Sequence, residues 1–361
     1  GLEIEHYDES MPKFITIKNN KFIDTDTAIY IYSRSLDTLT RLPINVSIVN
    51  NTFRSRSFDI NIEYGENIEI VNNSMTCGIR IFSARMLDIR DNTVNGKPII
   101  YLEGETHTYI TGNIGQAILI AVSDVEIHDA NISDVAIGII AHSSSGVRIV
   151  RSKIVNCSWG IFLRDSDETT IQNNIIVNSR YGIHIYSSFN HIITDNTFVG
   201  NGIYLEHMES GNPEDLLAEE FHGNILNGRP MILIQRKSNV YISGSYGQII
   251  VYRSHNVLIR SINALNTNYA LLAYSSTNLT VIDSFFGFAE ISISIRYTDN
   301  VTLAYNTFDS TKLYLVESYK VNIIMNNFYD SKVDILGGLS LIHISEPTRP
   351  RLISYAVFCL K

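Results

Sequence analysis

The chain has 361 residues, 45% hydrophobic and 18% charged, with 37 acidic against 28 basic side chains and a formal net charge of -9. That length and apolar share suffice for a long core. The acidic balance, without a basic stripe, argues against a nucleic-acid partner, and no run of 18 apolar residues is available to span a membrane as a helix.

A short period governs the sequence, and repeats are sought before individual elements are assigned. Two apolar residues flank a polar one, and Asn closes the unit: ITIKNN ends at Asn20, VSIVNN at Asn51, IEIVNN at Asn73, LDIRDN at Asn92 and TYITGN at Asn113. The same slot continues at Ala130, Ser152, Asn174, Asn196, Asn224, Ser245, Ile262, Ser284, Asn306 and Asn326, giving fifteen units of which ten carry Asn. From Asn51 the steps are 22, 19, 21, 17, 22, 22, 22, 28, 21, 17, 22, 22 and 20 residues. The order 21, 17, 22, 22 occurs twice, which predicts a six-coil module. Residues 1–91 are the end of a preceding module, 92–223 a complete one and 224–338 a second, incomplete one. Both later modules open on the same words: NGKPIIYL at 95–102 returns as NGRPMILI at 227–234, and GQAILI from Gly115 returns as GQIIVY from Gly247.

A unit of roughly 22 residues is too short for a strand, a helix and their loops, and no 3.6-residue apolar pattern of useful length is present before residue 339. The units hold short alternating runs instead: GIIA at 138–141, GIFL at 160–163, GIHI at 182–185 and GIYL at 202–205. In each, the Ile after Gly and the residue two further on face one side of a strand. One coil cannot bury such a face, but stacked coils share one continuous core. The expected fold is therefore all-β, a right-handed, single-stranded parallel β-helix of about fifteen coils, on the order of 70 Å long at ~4.8 Å per coil. The Asn slot lies just beyond a strand, where stacked amides bond each other and the turn backbone. Asn51, Asn73, Asn92, Asn113, Asn174, Asn196, Asn224, Asn306 and Asn326 are read as this structural ladder.

Residues 339–361, LSLIHISEPTRPRLISYAVFCLK, carry none of the pattern and resemble the translation of a sequencing adaptor, so they are set aside as non-native. The tail holds Arg349, Arg351 and Lys361 against Glu346, leaving -11 for the rest. It also holds Cys359, leaving Cys77 and Cys157, four coils or about 19 Å apart and out of reach of a disulfide. The opening in mid-pattern at Gly1 suggests a fragment at both ends, whose severed parallel edges would favour end-to-end self-association. Seven Asn-x-Ser/Thr triplets, at Asn45, Asn50, Asn72, Asn131, Asn156, Asn278 and Asn300, suit an exported surface protein, and turns rich in Asn, Ser and Thr produce them equally well by chance.

The coils resemble right-handed parallel β-helix repeats. The order NG-[KR]-P, followed about twenty residues on by GQ and an apolar run, is similar to the NosD-type periplasmic copper-binding protein family and its multi-module surface relatives, over essentially residues 1–338. The resemblance implies an exported β-helix at the cell surface, outside the cell or in the periplasm. In that family it further implies a part in copper delivery for nitrous oxide reductase assembly, and related domains occur in carbohydrate-binding and sugar-hydrolysing proteins. No cofactor is read from the residues themselves; copper enters by resemblance only.

Candidate sites follow from the alternation. Between the inward positions, Ile140, Phe162, His184 and Tyr204 fall in one outward column, and His142, Arg164, Tyr186 and Glu206 in the next. Rings beside charged groups on a flat sheet suit a polysaccharide or cell-surface glycan, whereas β-propensity alone also favours aromatics there. For catalysis the segment RDSDE offers Arg164, Asp165, Asp167 and Glu168. Glycoside hydrolysis requires two carboxylates about 5 to 9.5 Å apart. The stacked turns at 143–145 and 187–189 contribute no second carboxylate, and RYTDN one module on keeps only Arg296 and Asp299, so a solvated turn is the plainer reading. For a metal the nearest approach is His207 with Met208, opening an insertion that concentrates Glu206, Glu209, Glu214, Asp215, Glu219 and Glu220; a solvated protrusion is again the plainer reading. Three functions follow: a non-catalytic scaffold or ligand-binding rod, a carbohydrate-active enzyme, and a copper-delivery accessory.

Overall fold

The computed structural model describes residues 1–6, 14–33, 43–208 and 214–337, together with the backbone of two short strands, Ile342–Ser345 and Cys359–Leu360. Glu209 and the rest of the adaptor-like tail fall outside these residues. The described chain is an all-β parallel solenoid without helix, of about 13 turns against the fifteen units counted in the sequence. It divides into two compact units, Gly1–Ile192 and Ile193–Lys361.

In the first unit, strands Gln116–Ile120, Ile137–His142, Trp159–Arg164 and Tyr181–Tyr186 stack in parallel with Ala117, Ile139, Ile161 and Ile183 in register. A second sheet stacks Ile127 on Ile149 on Ile171. These side chains are fully buried, so each coil's β-branched residues pack on those of the coils above and below. The second unit repeats the arrangement with Ile249, Leu271, Ile293 and Leu313 in one column and Val257, Leu279, Val301 and Val321 in another.

Corners are made by single residues in the left-handed region, mostly Asn, Asp and Ser, such as Asn156, Asp165, Asn173 and Asn178. Just beyond them the buried slot carries amide bonds. Asn51 N donates to Asn73 Oδ1 at 2.8 Å and Asn73 N to Asn92 Oδ1 at 2.9 Å. Further on, Ala130 N donates to Ser152 Oγ at 3.1 Å and Ser152 N to Asn174 Oδ1 at 2.8 Å. In the second unit Asn196 N donates to Asn224 Oδ1 at 3.1 Å and Asn306 N to Asn326 Oδ1 at 2.8 Å. Asn113 departs from the expected ladder: register slips between Ile110 and Gly112, which turns Asn113 to the exposed surface, where it accepts from Asn131 Nδ2 at 3.0 Å.

A second ladder, of hydroxyls, went unread in the sequence. Val122 N donates to Ser144 Oγ, Ser144 N to Ser166 Oγ and Ser166 N to Ser188 Oγ, at 3.2, 3.1 and 2.9 Å. Ser254, Ser276, Thr298 and Ser318 form the same series in the second unit. The signal was a serine every 22 residues, at 144, 166 and 188, hidden in turns that looked merely polar.

The repeated NG words are hairpins. Asn95 and Gly96 have φ of 49° and 75°, Asn227 and Gly228 of 52° and 75°, the paired left-handed geometry of a type I′ turn. Each joins a short antiparallel pair, Thr93–Val94 with Lys97 and Pro98, and Ile225–Leu226 with Arg229 and Pro230. The parallel stack is interrupted there, and among the described residues the strand Ile79–Ile81 pairs with Thr52–Val71 but with no strand on its far edge. Gln116 fills that place, with Oε1 accepting from Ile79 N at 2.9 Å and Nε2 donating to Ile79 O at 2.7 Å and to Ile137 O at 3.0 Å. Gln248 does the same for Ile203 and Tyr269 in the second unit.

The interruption corrects one expectation. Ala136 N donates to Cys77 O at 2.9 Å and Trp159 N to Ala136 O at 2.9 Å, so Cys77 and Cys157 lie two strands apart, not four. Both thiols are free.

Candidate functional site

The outer column expected to face a ligand is closed over. Ile140, Phe162, His184 and His142 are at most 4% exposed, and Arg80 and Phe82, beside the interrupted edge, reach Trp159, Arg164 and Tyr186 of the following sheet. The Arg80 guanidinium sits 5.2 Å from the Phe82 ring and 5.7 Å from the Trp159 ring, and it bonds Glu63 at 3.1 Å. Trp159 in turn packs edge-on against Phe162 and His184, with centroids 4.9 and 5.0 Å apart. Arg164 lies 3.3 Å above the Phe82 ring and donates to the Phe82 carbonyl at 2.6 Å, while Phe82 meets Tyr186 edge-on at 5.9 Å. Phe162, His184, His142 and Arg164 are thus packing residues of a covered sheet, and Tyr186 is half-buried beside them. Alternation separates the inside of a coil from its outside. It carries no information about a strand 82 residues away that covers the outside.

Tyr204 and Glu206 belong to the second unit. Tyr204 is buried, its ring 4.6 Å from Tyr269, and its hydroxyl accepts from Arg296 Nη2 at 2.7 Å; Glu206 is half-buried. Arg296 stands 132 residues after Arg164 and likewise reaches a strand that precedes its own sheet.

The RDSDE turn gathers the residue types of an acyl-transfer triad but not their geometry. Asp165 Oδ2 is 3.2 Å from Arg164 Nε and 4.0 Å from His142 Nδ1, and Ser143 Oγ is 3.3 Å from that same Nδ1. A relay through imidazole needs the nucleophile and the carboxylate on opposite ring nitrogens. Here both address one, and His142 is nearly closed to solvent. Asp167 accepts from Phe189 N at 2.8 Å, which fixes the turn, and Glu168 is exposed in the left-handed conformation.

The metal candidates separate. His207 is exposed, whereas Met208 is fully buried, with its N–H donating to Tyr274 Oη at 2.9 Å and its carbonyl accepting from Tyr252 Oη at 3.4 Å. Among the described residues no group of three or more His, Cys, Asp or Glu side chains is placed to hold a metal ion. The thiols do not supply one either: burial pushes Cys157 up to about 12, and burial with the Asp59 carboxylate raises Cys77, so neither is a ready thiolate. The described residues do not fit the copper ion that the family resemblance implies.

Strand order, parallel register and amide ladders define a right-handed β-helix repeat protein. Consistent with that class, a family model described as the right-handed beta helix region matches residues 77–214. No curated protein matches the chain. Among solved structures, the chain is similar to the A-module of a mannuronan C-5 epimerase of Azotobacter vinelandii at 13% identity, with 90% of each chain covered and a TM-score of 0.30. It is similar to a tailspike protein of the E. coli bacteriophage HK620 at 11% identity, with 89% of this chain and 68% of that one covered and a TM-score of 0.33. The receptor-binding protein of bacteriophage Det7 gives 10% identity, 100% and 78% coverage and a TM-score of 0.30.

Proposed function

We propose that the chain is a non-catalytic β-helix module, a scaffold and ligand-binding rod of a larger NosD-like protein exported to the cell surface, the extracellular space or the periplasm. One observation carries this reading. The side chains with the richest chemistry, Arg164 above all, are consumed in joining one stretch of solenoid to the next, with the guanidinium bound to a backbone carbonyl and covered by Phe82. Polysaccharide or cell-surface glycan is the proposed partner class.

A carbohydrate-active enzyme is the second reading, favoured by the proximity of His142, Ser143, Arg164 and Asp165. Release of new chain ends from neutral and acidic polysaccharides by residues 1–338 discriminates the two. The scaffold predicts none; turnover that vanishes on Arg164→Ala or Asp165→Asn establishes the enzyme. A copper-delivery accessory would need ligands beyond the described residues.

A further inference from the structure

We propose that a face of the second unit, centred on Phe285, Phe288, Tyr305 and Tyr329, binds a neutral hexose polysaccharide; this rests on the ligand-binding reading above. The face is the outer side of three stacked strands, Phe285–Gly287, Thr307–Asp309 and Asn327–Tyr329, together with two corner residues that flank them, Phe288 just after the first strand and Tyr305 two residues before the second. Their register sets Phe285, Thr307 and Asn327 in one outward column and Gly287, Asp309 and Tyr329 in the next. The inner side is anchored by Phe286, Phe308 and Phe328, whose rings stack at 5.7 and 4.8 Å, so the outer side rests on a rigid support.

Outward, the rings stay in water. Tyr305 is 58% exposed, Tyr329 54% and Phe288 51%, in contrast to the covered rings of the first unit. Phe285 lies across the sheet because its neighbour is glycine: a β-carbon on Gly287 would stand 2.9 Å from Phe285 Cε1 and 3.3 Å from Cζ. A ring laid over a glycine presents a surface on which the apolar face of a pyranose can stack.

Polar groups interleave with the rings. Asp309 stands between the Phe285 and Tyr329 positions and accepts from Ser310 Oγ at 2.9 Å, leaving carboxylate lone pairs for sugar hydroxyls. Asp283 at the flank holds Arg260 at 2.9 Å. That pair is neutral overall, and the uncompensated Asp309 carboxylate among the rings disfavours a polyanion. Protein interfaces enrich aromatics but deplete Asp and Ser at their centres, which disfavours a second protein chain. Two coil spacings, about 10 Å, accommodate two or three hexose units.

The test is native affinity electrophoresis in gels containing barley β-glucan, galactomannan or dextran, with polygalacturonate as the anionic probe. At least one neutral polymer should retard the protein and polygalacturonate should not. Tyr305→Ala and Tyr329→Ala should each weaken retardation about fivefold. Tyr109→Ala, which removes a ring of the first unit that is 72% exposed, should leave it unchanged. Because the two substituted tyrosines are exposed, unaltered thermal unfolding identifies folded variants. No retardation by any neutral polymer, retardation indifferent to both substitutions, or stronger retardation by polygalacturonate overturns the proposal. So does a concentration-dependent dimer in sedimentation that both substitutions abolish, which would assign the face to a second copy. New reducing ends in the same mixtures would instead overturn the non-catalytic reading while leaving this binding face intact.

Discussion

The side-chain amide of Gln116 stands beside Ile79 in the place of a missing strand, accepting from its N–H at 2.9 Å and donating to its carbonyl at 2.7 Å. A carboxamide carries one acceptor and two donors, so it can pair with both backbone groups of Ile79 and still donate to Ile137 O. An interrupted sheet thereby avoids leaving buried backbone groups unpaired.

Gln116→Leu should accordingly destabilise the first unit by about 2 to 4 kcal/mol, since it keeps the volume and orphans three buried backbone groups. Gln116→Glu should be at least as damaging, because a carboxylate cannot donate to either carbonyl. Urea unfolding of both variants is the check; a change below about 0.5 kcal/mol for the Leu variant would show that the amide does not seal this edge.

Arg164 is predicted to act through packing. Arg164→Ala should cost about 1 to 3 kcal/mol by removing the bond to Phe82 O and the contact with its ring, and Arg164→Lys should recover part of that, lacking the planar guanidinium. The Ala variant should also expose Phe82 to a hydrophobic dye. An unchanged melting profile would return Arg164 to the pool of ligand-binding residues.

The hairpin turns have a sharper requirement at glycine than at asparagine. Gly96 has φ of 75° with no atom within 4 Å of an added β-carbon, so Gly96→Ala should meet backbone strain only, about 1 to 2 kcal/mol. Asn95→Gly should be nearly neutral, since both residues accept the left-handed region. Thermal melts of the two variants side by side would expose an error in this order.

His191 sets an acid limit. It is completely buried, and burial pushes its pKa down to about 4, against a weaker opposing effect of the Ser188 backbone. The unfolded chain therefore binds a proton near pH 6.5 that the folded chain refuses until about pH 4. Stability contributed by the neutral ring is intact above pH 6.5, falls as pH drops through that window, and is lost near pH 4, a total on the order of 3 kcal/mol. His191→Leu should flatten this part of the stability profile measured between pH 7 and 4. An equally steep profile in the variant would assign the acid sensitivity to other groups.

The period of about 22 residues, the inward Ile columns and the NG words were all legible in the residues, because coil stacking is a local rule repeated along the chain. The buried Asn slot was visible for the same reason; the slip at Asn113 was not, since a bulge leaves no mark on an otherwise regular pattern. The outer columns mark where this kind of reading stops. Phe162 and His184 alternate as surface residues should, yet they are buried against Trp159, which Arg80 in turn covers. Conversely, Tyr305 and Tyr329 stay more than half exposed at positions that no periodic rule singled out.

Sequence alone therefore determined the repeat, the strand faces and the parallel architecture, because each depends on neighbours one coil away. Tertiary structure decided which outer faces remain in water. That outcome depends on where the hairpins at Asn95 and Asn227 break the stack and which distant side chains then cover the next sheet, a long-range steric choice that no local alternation encodes.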